Sequence, residues 1–194
     1  MNALVKPLMT SSTGVLADKI AGASEAIKGL LLDGKHLVIA WSGGKDSNVM
    51  LTITLNAALD LMGEGLSFQT IHIVHSDTKL ENPVLHAHNQ YLIDRIRRFG
   101  GKHKIPARFW LATPSLSCDY LVSLIGGRTI ASTGSNTKCQ QMMKAYPLAR
   151  TRKAIRKFIA KQVGRKPAHD EIVSLVGTRF DESDARGAAM TKRG

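Results

Sequence analysis

The stretch Leu37 to Ser47, LVIAWSGGKDS, most constrains what this chain can fold into. An apolar run, Leu37 to Trp41, is cut off by Ser42-Gly43-Gly44-Lys45-Asp46-Ser47, and apolar residues then recur at Leu51, Leu55 and Leu59. That order predicts a buried strand, a tight glycine turn and a helix. Glycines let a backbone approach an anion closely, because no Cβ intervenes. The first N–H groups of a helix lack intrahelical partners, and the helix dipole favours negative charge at that end. Phosphate is the natural guest of such a turn. Lys45 adds a full positive charge, and Ser42 and Ser47 add hydroxyls. The turn is not a Walker A loop, since lysine follows the glycine pair directly and aspartate follows the lysine.

The rest of the chain continues the same alternation. Residues 1–12 read as a loose arm. Val15, Leu16, Ile20, Ala23, Ile27, Leu30 and Leu31 have helical spacing and predict a helix over 13–33, stopped near Gly34. The helix after the glycine turn is expected from Asp46 to about Met62. Residues 68–75 (FQTIHIVH) predict a second strand, and Asn82-Pro83 a capped helix that ends at Gly100-Gly101. Residues 107–112 (ARFWLA) predict a third strand and 171–176 (EIVSLV) a fourth. Between them, 117–125, 138–145 and the stretch from Pro147 are expected to be helical, and 132–137 a loop. Strands alternating with helices predict one α/β domain over 1–194, with a parallel twisted sheet and helices on both faces. Ligands of such sheets bind beyond the carboxyl ends of the strands, where strand order switches. The loops after Trp41, His75 and Ala112 should therefore share one edge.

Charge is the compositional outlier. The 194 residues carry 27 Lys+Arg against 15 Asp+Glu. From Tyr120 to His169 there is no acidic residue, and 120–169 reads as a basic helical insertion. Lys144, Arg150, Arg152, Lys153, Arg156 and Lys157 form a surface suited to a polyanion such as nucleic acid. No apolar stretch is long enough to span a membrane, and a membrane partner is not expected. Two cysteines, Cys118 and Cys139, are too few for a disulfide framework, which points to a reducing cytoplasm. The histidines His72, His75, His86 and His88 lack the spacing of a zinc site.

Two further segments carry chemistry. Gly177 to Arg186, GTRFDESDAR, follows a predicted strand and precedes a predicted helix. It should lie on the edge that holds the glycine turn. Arg179 offers a planar fork for phosphate, and Glu182 can pair with Arg186 one helical turn on; the same residues also suit a plain helix cap. Cys139, between Lys138 and Lys144, is either a thiolate of lowered pKa or a buried free cysteine. Asp77, after the second strand, suits Mg²⁺ or a ribose hydroxyl, and equally an Asx-turn.

Ser42 to Ser47 resembles the PP-loop of the ATP-pyrophosphatase superfamily, whose members split ATP to AMP and pyrophosphate and use the AMP to activate an oxygen. Gly177-x-Arg179-x-x-Glu182-Ser183-x-x-Arg186 is similar to a segment of the phosphoadenylylsulfate (PAPS) reductase-like branch. Cys139-x4-Lys144-x2-Pro147 resembles that branch's Cys-Thr-x-x-Leu-Lys-x-x-Pro, with Gln140 and Met143 in place of Thr and Leu. Within the branch, the likeness is nearest to the ATP-pyrophosphatase component of bacterial DNA phosphorothioation systems.

The resemblance implies an adenine nucleotide alpha hydrolase-like fold. It implies catalytic roles for Lys45, Asp46, Arg179 and Cys139. Nucleotide contacts would come from Ala40, Trp41, Ser42, Gly43, Gly44, Lys45, Asp46 and Ser47, and from His75, Asp77, Gly177, Arg179 and Glu182. ATP and Mg²⁺ would be the cofactors, with Asp46 the candidate metal ligand. DNA, other phosphorothioation subunits and a sulfur-donating cysteine desulfurase would be partners. An iron–sulfur cluster needs four thiolates, so none is expected within these residues. A sulfonucleotide reductase would need a Glu-Cys-Gly-hydrophobic-His segment, and a tRNA-thiolating enzyme usually brings Cys-x-x-Cys pairs; neither occurs here. A nucleotide-gated DNA-binding subunit is the non-enzyme alternative. An end at Gly194 suits either a compact family member or part of a longer protein.

Overall fold

The computed structural model describes residues 14–128 and 140–178. Helix α1 (Gly14–Leu32) leads into strand β1 (His36–Ala40), and helix α2 (Lys45–Gly63) into β2 (Ile71–Ser76). Helix α3 (Pro83–Lys102) leads into β3 (Ala107–Ala112). A 3-10 turn (Leu116–Cys118), the short helix α4 (Tyr120–Ile125), a π-helical turn (Gln141–Ala145) and helix α5 (Tyr146–Val163) precede β4 (Ile172–Val176). The four strands form one parallel sheet in the order β3-β2-β1-β4.

That order decides where the helices go. The chain steps from β1 to β2 to β3 in one direction, then crosses back to place β4 on the other side of β1. Crossovers of one hand put α2 and α3 on one face and α5 on the other. The packing follows this division. Leu37, Ile39, Ile71 and Ile73 meet Ile27 and Leu31 of α1, Leu51, Leu55 and Leu61 of α2, and Ile93 of α3. On the opposite face, Val38, Val74 and Ala112 meet Ile155 and Ile159 of α5. Those two isoleucines are fully buried, each contributing roughly 1.5–3 kcal/mol of transfer free energy. Thus the basic stretch contains the crossover helix between β3 and β4, with an apolar stripe that belongs to the core.

Several boundaries move for local reasons. The second strand begins at Ile71, not Phe68, and Phe68 packs against the core from the preceding turn. The helix expected over 117–125 is split at Asp119, whose side chain caps α4 by accepting from the N–H of Leu121 and Val122. Gln141–Ala145 is π-helical and runs straight into α5. Pro147 has no N–H for an ordinary helical bond, and Tyr146 N–H bonds Gln141 C=O instead. β4 has the register of a core strand but an edge position among the described strands, with Ser174 and Val176 exposed.

A polar knot lies under α5. His72 is fully buried, and its Nδ1 accepts from Trp110 Nε1 at 3.1 Å. The proton therefore sits on Nε2, which has no hydrogen-bond partner among the described residues; nor does Nδ1 of buried His36. Phe158 of α5 closes over the His72 ring, and the Arg108 guanidinium lies 4.3 Å from the Phe158 ring and 4.6 Å from the Trp110 ring. Desolvation, reinforced by His36 and Arg108, pushes His72 down to about 4. Burial lowers His36 as well, opposed by the Glu171 carboxylate.

Candidate functional site

The chain reverses its lateral direction between β1 and β4, and the loops leaving those two strands are neighbours. Ala40 pairs with Val176, so Trp41–Gly44 and Gly177 leave the sheet side by side. A Cβ on Gly177 would stand 2.5 Å from the carbonyl oxygen of Asp46 and 3.0 Å from the Ser47 nitrogen. Only a glycine lets the chain leaving β4 come this close to the start of α2. Gly177, the first residue of the second segment, therefore meets the glycine turn at the switch in strand order.

The turn itself is braced from within. Trp41 is 2% exposed, and its indole Nε1 donates to Asn48 Oδ1 at 2.7 Å. Asn48 Nδ2 in turn donates to Gly43 C=O at 3.1 Å. Ser47 Oγ donates to Gly44 C=O at 2.9 Å. With its proton committed there, Ser47 Oγ accepts from Ser42 N–H at 3.2 Å and from the Ser42 hydroxyl at 3.1 Å. Gly44 N–H approaches Ser42 Oγ at 3.3 Å. Both hydroxyls are thus turned onto the loop. His75 is buried behind it, and its Nδ1 bonds Trp41 C=O at 3.1 Å, so this nitrogen carries the proton. The rings of Trp41 and His75 stand 5.1 Å apart.

What faces outward is the start of α2. Gly44 is its N-cap and supplies no side-chain cap, and the Lys45 side chain is exposed. Asp46, in the first helical turn, complements the helix dipole. Gly43 has φ +80°, and a Cβ there would meet Asn89 Oδ1 at 2.1 Å. These are the features of a phosphate cradle: a left-handed glycine, an uncapped helix start and a cation beside it. Among the described residues, no group of three or more His, Cys, Asp or Glu side chains could hold a metal ion. A magnesium ion here would rely chiefly on the ligand's own phosphates, as that ion commonly does.

The loop after β2 joins the same edge. Asp77 N–H bonds Ala112 C=O at 3.0 Å, tying the ends of β2 and β3 together. The Asp77 carboxylate accepts from Lys79 N–H at 2.9 Å, which is the Asx-turn, and lies 4.0 Å from His86 Nδ1. Lys79 then reaches Asp119, the cap of α4, at 3.5 Å. Ala40 is exposed on the α5 face of the sheet, away from the Trp41 indole. Arg179, Glu182 and Cys139 lie outside the described residues.

The basic residues lie on α5 and on the π-helical turn before it. Lys144, Arg150, Arg152, Lys153, Arg156 and Lys157 are all exposed. Arg150 is anchored, donating from Nη2 to Thr113 C=O at 2.8 Å, so the start of α5 sits beside the end of β3. A groove of about 540 Å³ runs between α5 and the β1–β4 half of the sheet. Its floor includes Val38 and Ile155, and its rim Arg152, Lys153 and Arg156.

Asn48 bonds the loop and Asn89 lies against it, and neither stands out in the sequence as a site residue. Asn48 lies in the turn's own helix and had a weak signal in that position. Asn89, remote in sequence, had none. Comparison of the chain with protein-family models, with curated proteins and with solved structures finds no match. No helix of the described residues is long and apolar enough to cross a membrane.

Proposed function

We propose that the chain is an ATP pyrophosphatase of the PP-loop kind, which binds ATP at the Ser42–Ser47 turn and transfers AMP to a phosphate oxygen of DNA, in preparation for sulfur incorporation. The observation that carries the reading is the contact of Gly177 with the Asp46 carbonyl, which joins the two phosphate-type segments at the switch in strand order. In the proposed step the acceptor oxygen attacks the α-phosphorus of ATP, the bond to the β-phosphate oxygen breaks, and pyrophosphate leaves. A non-bridging phosphate oxygen is a poor leaving group, and AMP on it makes a good one. The outer sulfur of a persulfide on a partner cysteine desulfurase then attacks the activated phosphorus and displaces AMP, and a second thiol cleaves the S–S bond, leaving sulfur on the phosphate and a disulfide on the donor.

Lys45, Arg179 and the start of α2 serve to hold the departing pyrophosphate and offset its developing charge. Mg²⁺ supplies further neutralisation when it accompanies the nucleotide. The basic face of α5 holds the acceptor backbone. The exclusion of acidic residues from 120–169 supports a polyanionic acceptor. Mass-identified AMP and pyrophosphate, measured with ATP, Mg²⁺ and either DNA, tRNA or adenylylsulfate, test the reading. DNA-stimulated AMP release that Lys45→Ala abolishes is the expected result. ATP binding without AMP under any condition rejects the enzyme and leaves a nucleotide-gated DNA-binding subunit. Sulfur incorporation that survives Cys139→Ser removes that thiol from the mechanism.

A further inference from the structure

We propose that Asn89 is a positioning residue of the phosphate loop: its side-chain amide holds Gly43 in the anion-receiving conformation and links that conformation to the Glu81 carboxylate. The inference rests on reading the Ser42–Ser47 turn as an anion site.

Asn89 belongs to α3 and is 1% exposed. Its Nδ2 donates to Glu81 Oε2 at 3.3 Å. Its Oδ1 is buried and has no hydrogen-bond partner among the described residues. That oxygen lies against the Gly43 Cα, since a Cβ built there would stand 2.1 Å from Oδ1 and 3.0 Å from Cγ. A buried carbonyl without a donor costs free energy, and an apolar side chain of similar size avoids that cost. Packing alone gives no reason for an amide here.

Two properties of the amide supply one. Its flat carbonyl end fits where Gly43 presents only hydrogen, and a Cα–H···O contact there is weakly favourable. Its other end is oriented by charge. Were the amide turned over, Oδ1 would face the Glu81 carboxylate and two acceptors would oppose each other. Glu81 therefore selects which end meets the loop. On its other side Gly43 is held through its carbonyl by Asn48 Nδ2. The left-handed glycine is thus clamped by an asparagine from α2 and an asparagine from α3. The second clamp lets the turn at Glu81, between β2 and α3, set the shape of the loop after β1.

The test is calorimetric titration of inorganic pyrophosphate into the full chain and into Asn89→Ala, Asn89→Asp, Glu81→Gln and the Asn89→Ala/Glu81→Gln double variant, with Tm recorded for each. Asn89→Ala is expected to weaken pyrophosphate binding roughly ten-fold or more, by analogy with the outer-shell groups that orient metal ligands. Asn89→Asp keeps the shape against Gly43 but replaces the donor to Glu81, and is expected to weaken binding as well. Glu81→Gln weakens it in the same direction, and the double variant is no worse than Asn89→Ala alone, as two members of one linkage behave. If both Asn89 variants bind pyrophosphate as the parent does while Tm falls, Asn89 only packs and the inference fails. Should Asn89→Ala not fold, Asn89→Asp and Glu81→Gln decide the matter alone. A parent chain that binds no pyrophosphate rejects the anion site itself, and the positioning role with it.

Discussion

The indole N–H of Trp41 donates to the side-chain oxygen of Asn48 across the turn that separates β1 from α2, at 2.7 Å. The last apolar residue of the strand run thereby fixes an asparagine in the helix, and that asparagine fixes Gly43. An apolar anchor sets the geometry of a polar loop.

Trp41→Phe keeps the buried ring and removes the donor. Asn48 Oδ1 is then left without that partner in a partly buried setting, which costs about 1–3 kcal/mol. Chemical denaturation is expected to show this loss, and pyrophosphate binding to weaken with it. A parent-like stability curve means that water replaces the indole freely.

Gly177→Ala places a methyl group 2.5 Å from the Asp46 carbonyl oxygen. Overpacking backbone against backbone costs roughly 1–3 kcal/mol, and here it separates the two loops. Lower Tm and reduced nucleotide affinity are expected together. Gly22→Ala, exposed within α1 with nothing within 4 Å of the new Cβ, is the control. It is expected to raise stability by about 0.5–1 kcal/mol, as alanine does in a helix. Equal effects of the two substitutions would falsify the close-contact account.

His72 is expected to make the fold acid-sensitive. Its folded value is pushed down to about 4 from the ordinary 6.5, so the unfolded chain takes up a proton there at higher pH than the folded chain does. The folded state is unpenalised above 6.5. It loses stability as pH falls from 6.5 toward 4, by roughly 3 kcal/mol for a fully expressed shift. His36 acts in the same direction. Urea denaturation at pH 7.5, 6 and 5 should show a decline that His72→Gln flattens; an identical slope in the variant removes His72 as the cause.

Polyanion binding by the α5 face should depend on salt. Substituting Arg152, Lys153 and Arg156 together by Ser is expected to weaken duplex DNA binding and to reduce the slope of log K against log salt, by about 0.9 for each phosphate that is no longer neutralised. These side chains are exposed, so Tm should change little. Fluorescence anisotropy at several salt concentrations measures both quantities. An unchanged slope places the DNA elsewhere or nowhere on this protein.

Much of the framework was legible in the chain. The apolar runs ending at Trp41, at His75 and at Ala112 became parallel strands, because each is too short for a helix and is followed by turn residues. The register that brings Gly177 to Asp46 follows from the strand order, which no local pattern encodes; the glycine only permits the approach. Asn89 was illegible because a polar residue in an amphipathic helix reads as solvent-facing until a loop from elsewhere lies against it. Ser42 and Ser47 read as hydroxyls offered to an anion; that Ser47 Oγ also donates to Gly44 C=O and accepts from Ser42 N–H is tertiary detail that no spacing encodes. The split at Asp119 and the π-helical turn before Pro147 are both local competitions won by a cap and by a missing N–H. Helical periodicity cannot register either one.

The meeting of Gly177 with Asp46 also has a consequence in time. The loop after β1 is synthesised early, but its opposite wall is among the last of the described residues to emerge. During translation the emerged part of the chain can pair β1, β2 and β3 and still lack half of its cradle. Long-range pairings of this kind form slowly, because the intervening chain must be ordered first. Nucleotide affinity would then report completion of the sheet: pyrophosphate binding should rise only as β4 docks, late in refolding, well after most helical signal has returned.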